Sequence, residues 1–459
     1  MWMSAGPSRE TRPRPPRVDS HADAAAIRER AIRPRRAVAS GMKIAALAIL
    51  VVSVAGPGIS PGTVSPLLKL LGASLMAGLI LCEPLRRGVP LEALLYFAFV
   101  FWGGATAGVA ADPALALGTA WKMLQVGIVF WAVMMAHRRH PDLRLTMAGL
   151  WMGGLGWALI VWLNPEASAT LEGGRRLSVL GENPNTGGQV FVFAIFGSVY
   201  LLQRTRGALR RLALFASLPF FSVLLLLTGS RKMLVATVVL GASWLVMGAR
   251  EGVTRHGHRF VYFILLLAVA GMALGTAWRW RGSPMALRWS NAVQGLGGEG
   301  AFAGRGALYK DGWELFLENP IAGVGLMNQA VIAGYAFHSD FIDVLASTGI
   351  VGGLLYFSVY AVAFRKAKRV RRVCGLKLEL EWRAFVVYLA VLLWLMSGFQ
   401  RYDDLFNIVV LGSFVGFFLG TREQRTSTRV VASPLGEGHP ARAHQLLIAS
   451  PKPVPIGPV

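Results

Sequence analysis

Cysteine is nearly absent, with Cys82 and Cys374 the only two in 459 residues. Two isolated thiols exclude a disulfide framework and a cysteine-built zinc site, and both read as unpaired thiols at the inner side of a membrane. Charge is also scarce, at 15% of residues, which is less than a water-soluble chain of this length carries. Acidic residues are the scarcest part: 24 Asp and Glu face 47 Lys and Arg, for a net charge of +23. That excess does not mark a nucleic-acid partner, because the cations lie mostly in the two tails and in short segments between apolar runs. Membrane proteins place Lys and Arg in this way on the cytoplasmic side.

What the sequence has in abundance is apolar length, with 54% hydrophobic residues. A helix needs about 20 apolar residues to cross the hydrocarbon core, and it satisfies its own backbone there. The runs predict an all-α polytopic membrane protein of about 12 transmembrane helices: 41–57, 65–82, 90–110, 114–136, 143–163, 186–203, 209–228, 232–249, 259–278, 341–364, 384–400 and 404–420. Residues 1–40 form a basic tail rich in Arg, Pro and Ala, expected to be disordered and cytoplasmic. The transmembrane domain then covers 41–420, its first span an uncleaved anchor, and 421–459 form a second disordered cytoplasmic tail. Repeats of 20–50 residues are not visible, nor are two matching halves with broken helices of the kind many transporters show.

Loop charges orient these spans. If the basic N-terminus is inside, the inner loops carry Arg86-Arg87, His137 to His140, Arg204 to Arg211, Arg250 to Arg259 and the run Arg365 to Arg372, all basic. The outer side then holds two sizeable loops, about 164–185 and about 279–340, the second between spans 9 and 10. A loop that long is usually functional. Part of it has helical spacing: Tyr309, Trp313, Phe316 and Leu317 fall on one apolar stripe, and Asn319-Pro320 would stop the helix. Such a helix either lies on the membrane surface and caps the bundle or frames a site.

This topology sorts the candidate residues. Of eight histidines, His338 alone falls outside, where the large loop meets the tenth span. A lone histidine is more often structural, but one beside a membrane surface, followed by Ser339 and Asp340, suits a proton acceptor working near neutral pH. Outward arginines break the positive-inside pattern: Arg175 and Arg176 in the first loop, and Arg279, Arg281, Arg288 and Arg305 in the second. Arg231 is sharper still, because it sits in Thr228-Gly229-Ser230-Arg231-Lys232, a turn of a few residues between two apolar spans. A charge held deeper than the interface costs about 2.5–3.5 kcal/mol, so it marks either function or snorkelling to headgroups. Lys69 and Lys122 lie within spans toward their outer ends, and either line the same cavity or snorkel. Guanidinium groups grip phosphate oxygens through paired hydrogen bonds and stabilise a pyrophosphate that leaves with negative charge. Asp340 and Asp343 could share a helix face, and Asp403-Asp404 fits a charged span edge better than a metal site. No spacing demands a metal.

The order of these features resembles the O-antigen ligase and O-antigen polymerase family of bacterial membrane glycosyltransferases. The matching residues are Gly181-Glu182-Asn183-Pro184-Asn185, Leu227-Thr228-Gly229-Ser230-Arg231, Gly304-Arg305, Trp313, Pro320, Gly323-Val324-Gly325, His338-Ser339, Leu345, Gly349 and Gly352-Gly353. They cover roughly 180–357. The resemblance implies a GT-C-like helical fold with its site facing the periplasm, in the bacterial inner membrane. It implies transfer of a glycan from an undecaprenyl-pyrophosphate donor to a lipid- or glycan-linked acceptor hydroxyl, with inversion at the sugar carbon and without a metal or other cofactor. It maps catalytic roles onto His338, Arg305 and Arg231. Asn185, Tyr309, Lys69 and Lys122 are then expected to line the substrate cavity, with Arg175 and Arg176 as binding residues of open role. Ser339 departs from the Asn that often follows the family's His. A ligase and a polymerase that joins lipid-linked repeats differ in the acceptor, which no motif here reads. A flippase or transporter is the rival from another class, and would need charges along a path through the membrane.

Overall fold

The computed structural model describes residues 88–163, 184–249, 303–398 and 404–432. Among them every regular element is helical: α1 (Leu91–Ala105), α2 (Pro113–Arg139), α3 (Arg144–Leu163), α4 (Pro184–Arg204), α5 (Ala208–Leu227), α6 (Arg231–Ala249), α7 (Ala303–Glu318), α8 (Asn328–Ala333), α9 (Asp340–Cys374), α10 (Glu379–Met396) and α11 (Leu405–Ala432). Single 3-10 turns occupy Thr106–Val109 and Gly375–Leu378. Seven of the described helical stretches are long and apolar enough to cross a membrane. The described residues are all-helical, and their several apolar helices mark a multi-span membrane protein. Nine expected spans fall on α1 to α6 and α9 to α11, while those at 41–57, 65–82 and 259–278 lie outside the described residues.

Local chemistry sets several boundaries. Helix α2 starts where Asp112 accepts from the Leu115 amide at 3.0 Å, with Pro113 in the first helical position. Helix α7 ends at Glu318, just before Asn319-Pro320, as the spacing required. Helix α11 runs on to Ala432, twelve residues past the expected span end at 420, because Glu423 pairs with Arg138 at the end of α2 (Nε–Oε1 2.7 Å).

Lipid tails give helices no hydrophobic reason to associate, so close packing must supply it. Glycines do this along α11: Gly412, Gly416 and Gly420 lie against Phe130, Met134 and Arg138 of α2, each advancing by one turn. Helix α4 is the central element, buried continuously from Gly187 to Leu202 and packed on α3, α5 and α6. Helix α9 packs on α1 and α7, and α6 on α10.

The tenth expected span, 341–364, differs most from the structure. Helix α9 is longer, and it is broken at Gly349, whose φ of 64° and ψ of −167° are not helical. A break inside an apolar span strands carbonyls at the end of the first segment and amides at the start of the second, at several kcal/mol each if unpaired in lipid. The segment 319–325 satisfies them. Val324 N donates to Ala346 O at 3.0 Å and Gly325 N to Ser347 O at 2.9 Å, while Ile350 N donates to Pro320 O at 2.8 Å. From α1, Trp102 Nε1 donates to Thr348 O at 2.9 Å. The same segment is held from its other side, where Asn328 Oδ1 accepts from Asp112 N and Asn328 Nδ2 donates to Asp112 O at 3.1 Å.

Candidate active site

Three segments carry the candidate residues, and each is shaped by identifiable contacts. The first is the turn between α5 and α6. Gly229 has φ of 62°, Thr228 Oγ1 donates to Leu225 O at 2.6 Å, and Ser230 precedes the first residue of α6, Arg231. The Ser230 hydroxyl lies 3.4 Å from the Met233 amide, as a helix cap does, and donates to Asn185 Oδ1 at 2.6 Å. Asn185 is the second residue of α4, so the two motifs 181–185 and 227–231 meet here. Gly188, one turn on, lets the turn close: a Cβ there would press on Met233 and Thr228. Gln189 of the same helix donates to Asp404 Oδ2 at 3.0 Å, and Asp404 Oδ1 also accepts from the Phe406 amide. Asp404 thus serves as a span-edge contact, the reading its sequence favoured; Asp403 lies outside the described residues.

The second segment is α7, which contains Arg305 in its first turn and Tyr309 one turn later. Tyr309 OH donates to Ser397 O at 2.8 Å, at the end of α10. That end of α10 also touches the Arg231 segment, since Trp394 Nε1 donates to Lys232 O at 3.0 Å and Lys232 lies against Gly398. The stripe expected on α7 divides: Phe316 is buried, but Trp313 and Leu317 are 46% and 57% exposed. The face turned to α9 is centred on Gly312, where a Cβ would collide with Ile342 and Phe337.

The third segment is the junction of α8 and α9. His338 follows Phe337 and is exposed, with φ of 59°. Among described non-glycine residues only Met327 shares such a backbone. The left-handed region costs a non-glycine residue roughly 1–2 kcal/mol, and such strain persists where the surroundings impose it, often at functional sites. Ser339 caps α9, and its amide donates to Asp343 Oδ2 at 3.0 Å. Asp340 and Asp343 do share a face, both fully buried, but with separate partners: Asp340 accepts from Tyr356 OH at 3.3 Å, and Asp343 from Gln329 Nε2 at 3.2 Å. Tyr335 OH donates to Asp311 of α7, and this bond to a carboxylate holds its phenol above the usual range.

Contacts thus run without interruption from Asn185 and the Arg231 turn, through the end of α10, to Tyr309, Gly312 and the His338 junction. Lys122 is exposed on α2, which packs on α1 and α11. Lys69, Arg175 and Arg176 lie outside the described residues. Among the described residues no group of three or more His, Cys, Asp or Glu side chains could hold a metal ion. Sequence reasoning missed Gln329, Ser347, Asn328 and Trp102. Their partners are 14 to 246 residues away, and no spacing rule joins them.

The opposite ends of these helices are closed by ion pairs between elements. Arg204 of α4 pairs with Glu381 of α10, Lys366 of α9 with the buried Glu92 of α1 at 2.7 Å, and Arg371 of α9 with Glu379 through two bonds of 3.0 and 3.1 Å. All four helix ends named here lie on the side the loop charges assign to the cytoplasm.

No curated protein matches the chain. Residues 215–357, from within α5 to within α9, match the family model described as O-antigen ligase. The matched stretch contains Arg231, Arg305, Tyr309 and His338, and it ends at 357, four residues past Gly352-Gly353, the last motif quoted above. Through this core the chain is similar to the O-antigen ligase and polymerase family.

Proposed function

We propose that this protein transfers a glycan from an undecaprenyl-pyrophosphate donor to an acceptor hydroxyl at the outer face of the inner membrane, as an O-antigen ligase-like enzyme of surface polysaccharide biosynthesis. The observation that carries the reading is the continuous line of contacts joining the three segments, with His338 exposed in a strained conformation at its end. Arg231 and Arg305 grip the pyrophosphate oxygens by paired hydrogen bonds and stabilise the charge that develops there. His338 accepts the proton of the acceptor hydroxyl. The hydroxyl oxygen attacks the anomeric carbon from the face opposite the pyrophosphate. The new C–O bond forms as the bond to the pyrophosphate oxygen breaks, and undecaprenyl pyrophosphate leaves with the bonding electrons. The configuration at carbon inverts. No step requires a metal.

The tightly paired inner ends of α1, α4, α9 and α10 favour this reading over a transporter, which needs a passage at both faces. A polymerase uses the same site with a second lipid-linked glycan as acceptor. Two experiments test the proposal. His338→Ala, expressed at normal level in membranes of a deletion strain, abolishes glycan transfer; full activity refutes the assignment. In the deletion strain itself, accumulation of long lipid-linked polymer identifies a ligase, and accumulation of single lipid-linked repeats a polymerase.

A further inference from the structure

We infer that Asp343, together with Gln329 and Ser347, is a positioning device that sets the backbone of His338. The inference rests on the reading of His338 given above. Ser347 Oγ donates to Gln329 Oε1 at 2.6 Å, Gln329 Nε2 donates to Asp343 Oδ1 at 3.2 Å, and Asp343 Oδ2 accepts the Ser339 amide at 3.0 Å. Four residues form one relay, and none is more than 4% exposed. The relay ends on the amide of the residue next to His338, in the peptide unit whose orientation fixes the ψ of His338. A second bond, Asp343 N to Ser339 O at 2.7 Å, closes the same turn. The Ser339 amide therefore points into the protein at the carboxylate, which fixes the ψ of His338, the residue whose φ is 59°.

The far end of the relay is anchored just as firmly. Ser347 belongs to the short helical segment before Gly349, and its carbonyl accepts from Gly325 N. Gln329 is the second residue of α8, next to Asn328, which is clamped to Asp112. The break at Gly349 thus has a use. It gives α9 a short, separately tethered first segment, whose position relative to the α1–α2 turn fixes where His338 stands. A 1 Å displacement of such a group can cost as much as about 100-fold in rate.

The test uses the full chain in membranes and purified in detergent. Asp343→Ala lowers kcat roughly 10–100-fold with little change in KM for donor or acceptor. Asp343→Asn restores most of the rate, because the carboxamide oxygen still accepts the Ser339 amide and its NH2 finds the Gln329 oxygen once that amide rotates. In a His338→Ala background, Asp343→Ala causes no further loss, since both act through one group. An additive loss, or a fully active Asp343→Ala enzyme beside an inactive His338→Ala one, overturns the inference. Hydrogen exchange gives a readout independent of catalysis: the Ser339 amide loses its protection in Asp343→Ala while α9 beyond Gly349 keeps its own. Unchanged protection at Ser339 also overturns it. If His338→Ala proves fully active, the functional reading fails, and the exchange result still decides whether Asp343 sets this turn.

Discussion

The Ser230 hydroxyl donates to Asn185 Oδ1 at 2.6 Å, tying the start of α4 to the turn that delivers Arg231. This one bond joins two motifs that are 45 residues apart. Asn185→Leu should leave the protein folded while lowering glycan transfer by about 10–100-fold, because the turn loses its lateral support. Ser230→Ala should add a stability loss of about 1 kcal/mol from the missing cap, seen as a lower unfolding midpoint in detergent. Wild-type transfer rates in both variants would remove the tie from the mechanism.

Arg305 lies one turn before Tyr309, which is fixed to Ser397 O. Arg305→Lys keeps the charge but loses the planar fork, so turnover should fall about tenfold or more while the protein level stays constant. An unchanged rate would count against a bidentate clamp on pyrophosphate.

Gly349 and Gly334 both have positive φ, at 64° and 75°, but differ in their surroundings. A Cβ at Gly349 would collide with the Ile321 carbonyl, whereas at Gly334 nothing lies within 4 Å. Gly334→Ala should cost only the backbone strain, about 1 kcal/mol. Gly349→Ala carries that strain plus the clash, about 3 kcal/mol together, and should reduce the yield of monodisperse protein. Equal behaviour of the two variants in a thermal unfolding series would show that segment 319–325 does not seat on the break.

Cys374 ends α9 beside the basic run Arg365 to Arg372. In a Cys82→Ser background, a membrane-impermeant maleimide should label Cys374 in inverted membrane vesicles and leave it unlabelled in intact spheroplasts. The reverse pattern would invert the whole orientation, and with it the outer placement of His338.

Nine helices were legible in the chain because a span is a local property: some 20 apolar residues either continue or stop, and loop charges order the ends. Arg231 and His338 were legible for the same reason, since each is a polar residue where apolar length runs out. The break in α9 was not legible. Gly349 sits in an apolar run that reads as continuous helix, and the partners that make its interruption tolerable come from residues 320–325 and from Trp102. The stripe on α7 misled in part, because spacing shows which residues share a face but not which face packs; Gly312 settled that by permitting close approach to Phe337 and Ile342.

By itself, the sequence determined that the protein is a bundle of membrane helices, which way its loops carry charge, and which few polar residues stand out against that background. Only the tertiary structure decided that Asn185 meets Ser230, that Tyr309 meets Ser397, and that Asp343 holds the turn beside His338. The physical reason is range. Hydropathy and helix capping act within one or two turns of chain. The hydrogen bonds that shape the site join residues distant in sequence, and only the folded bundle brings those residues together.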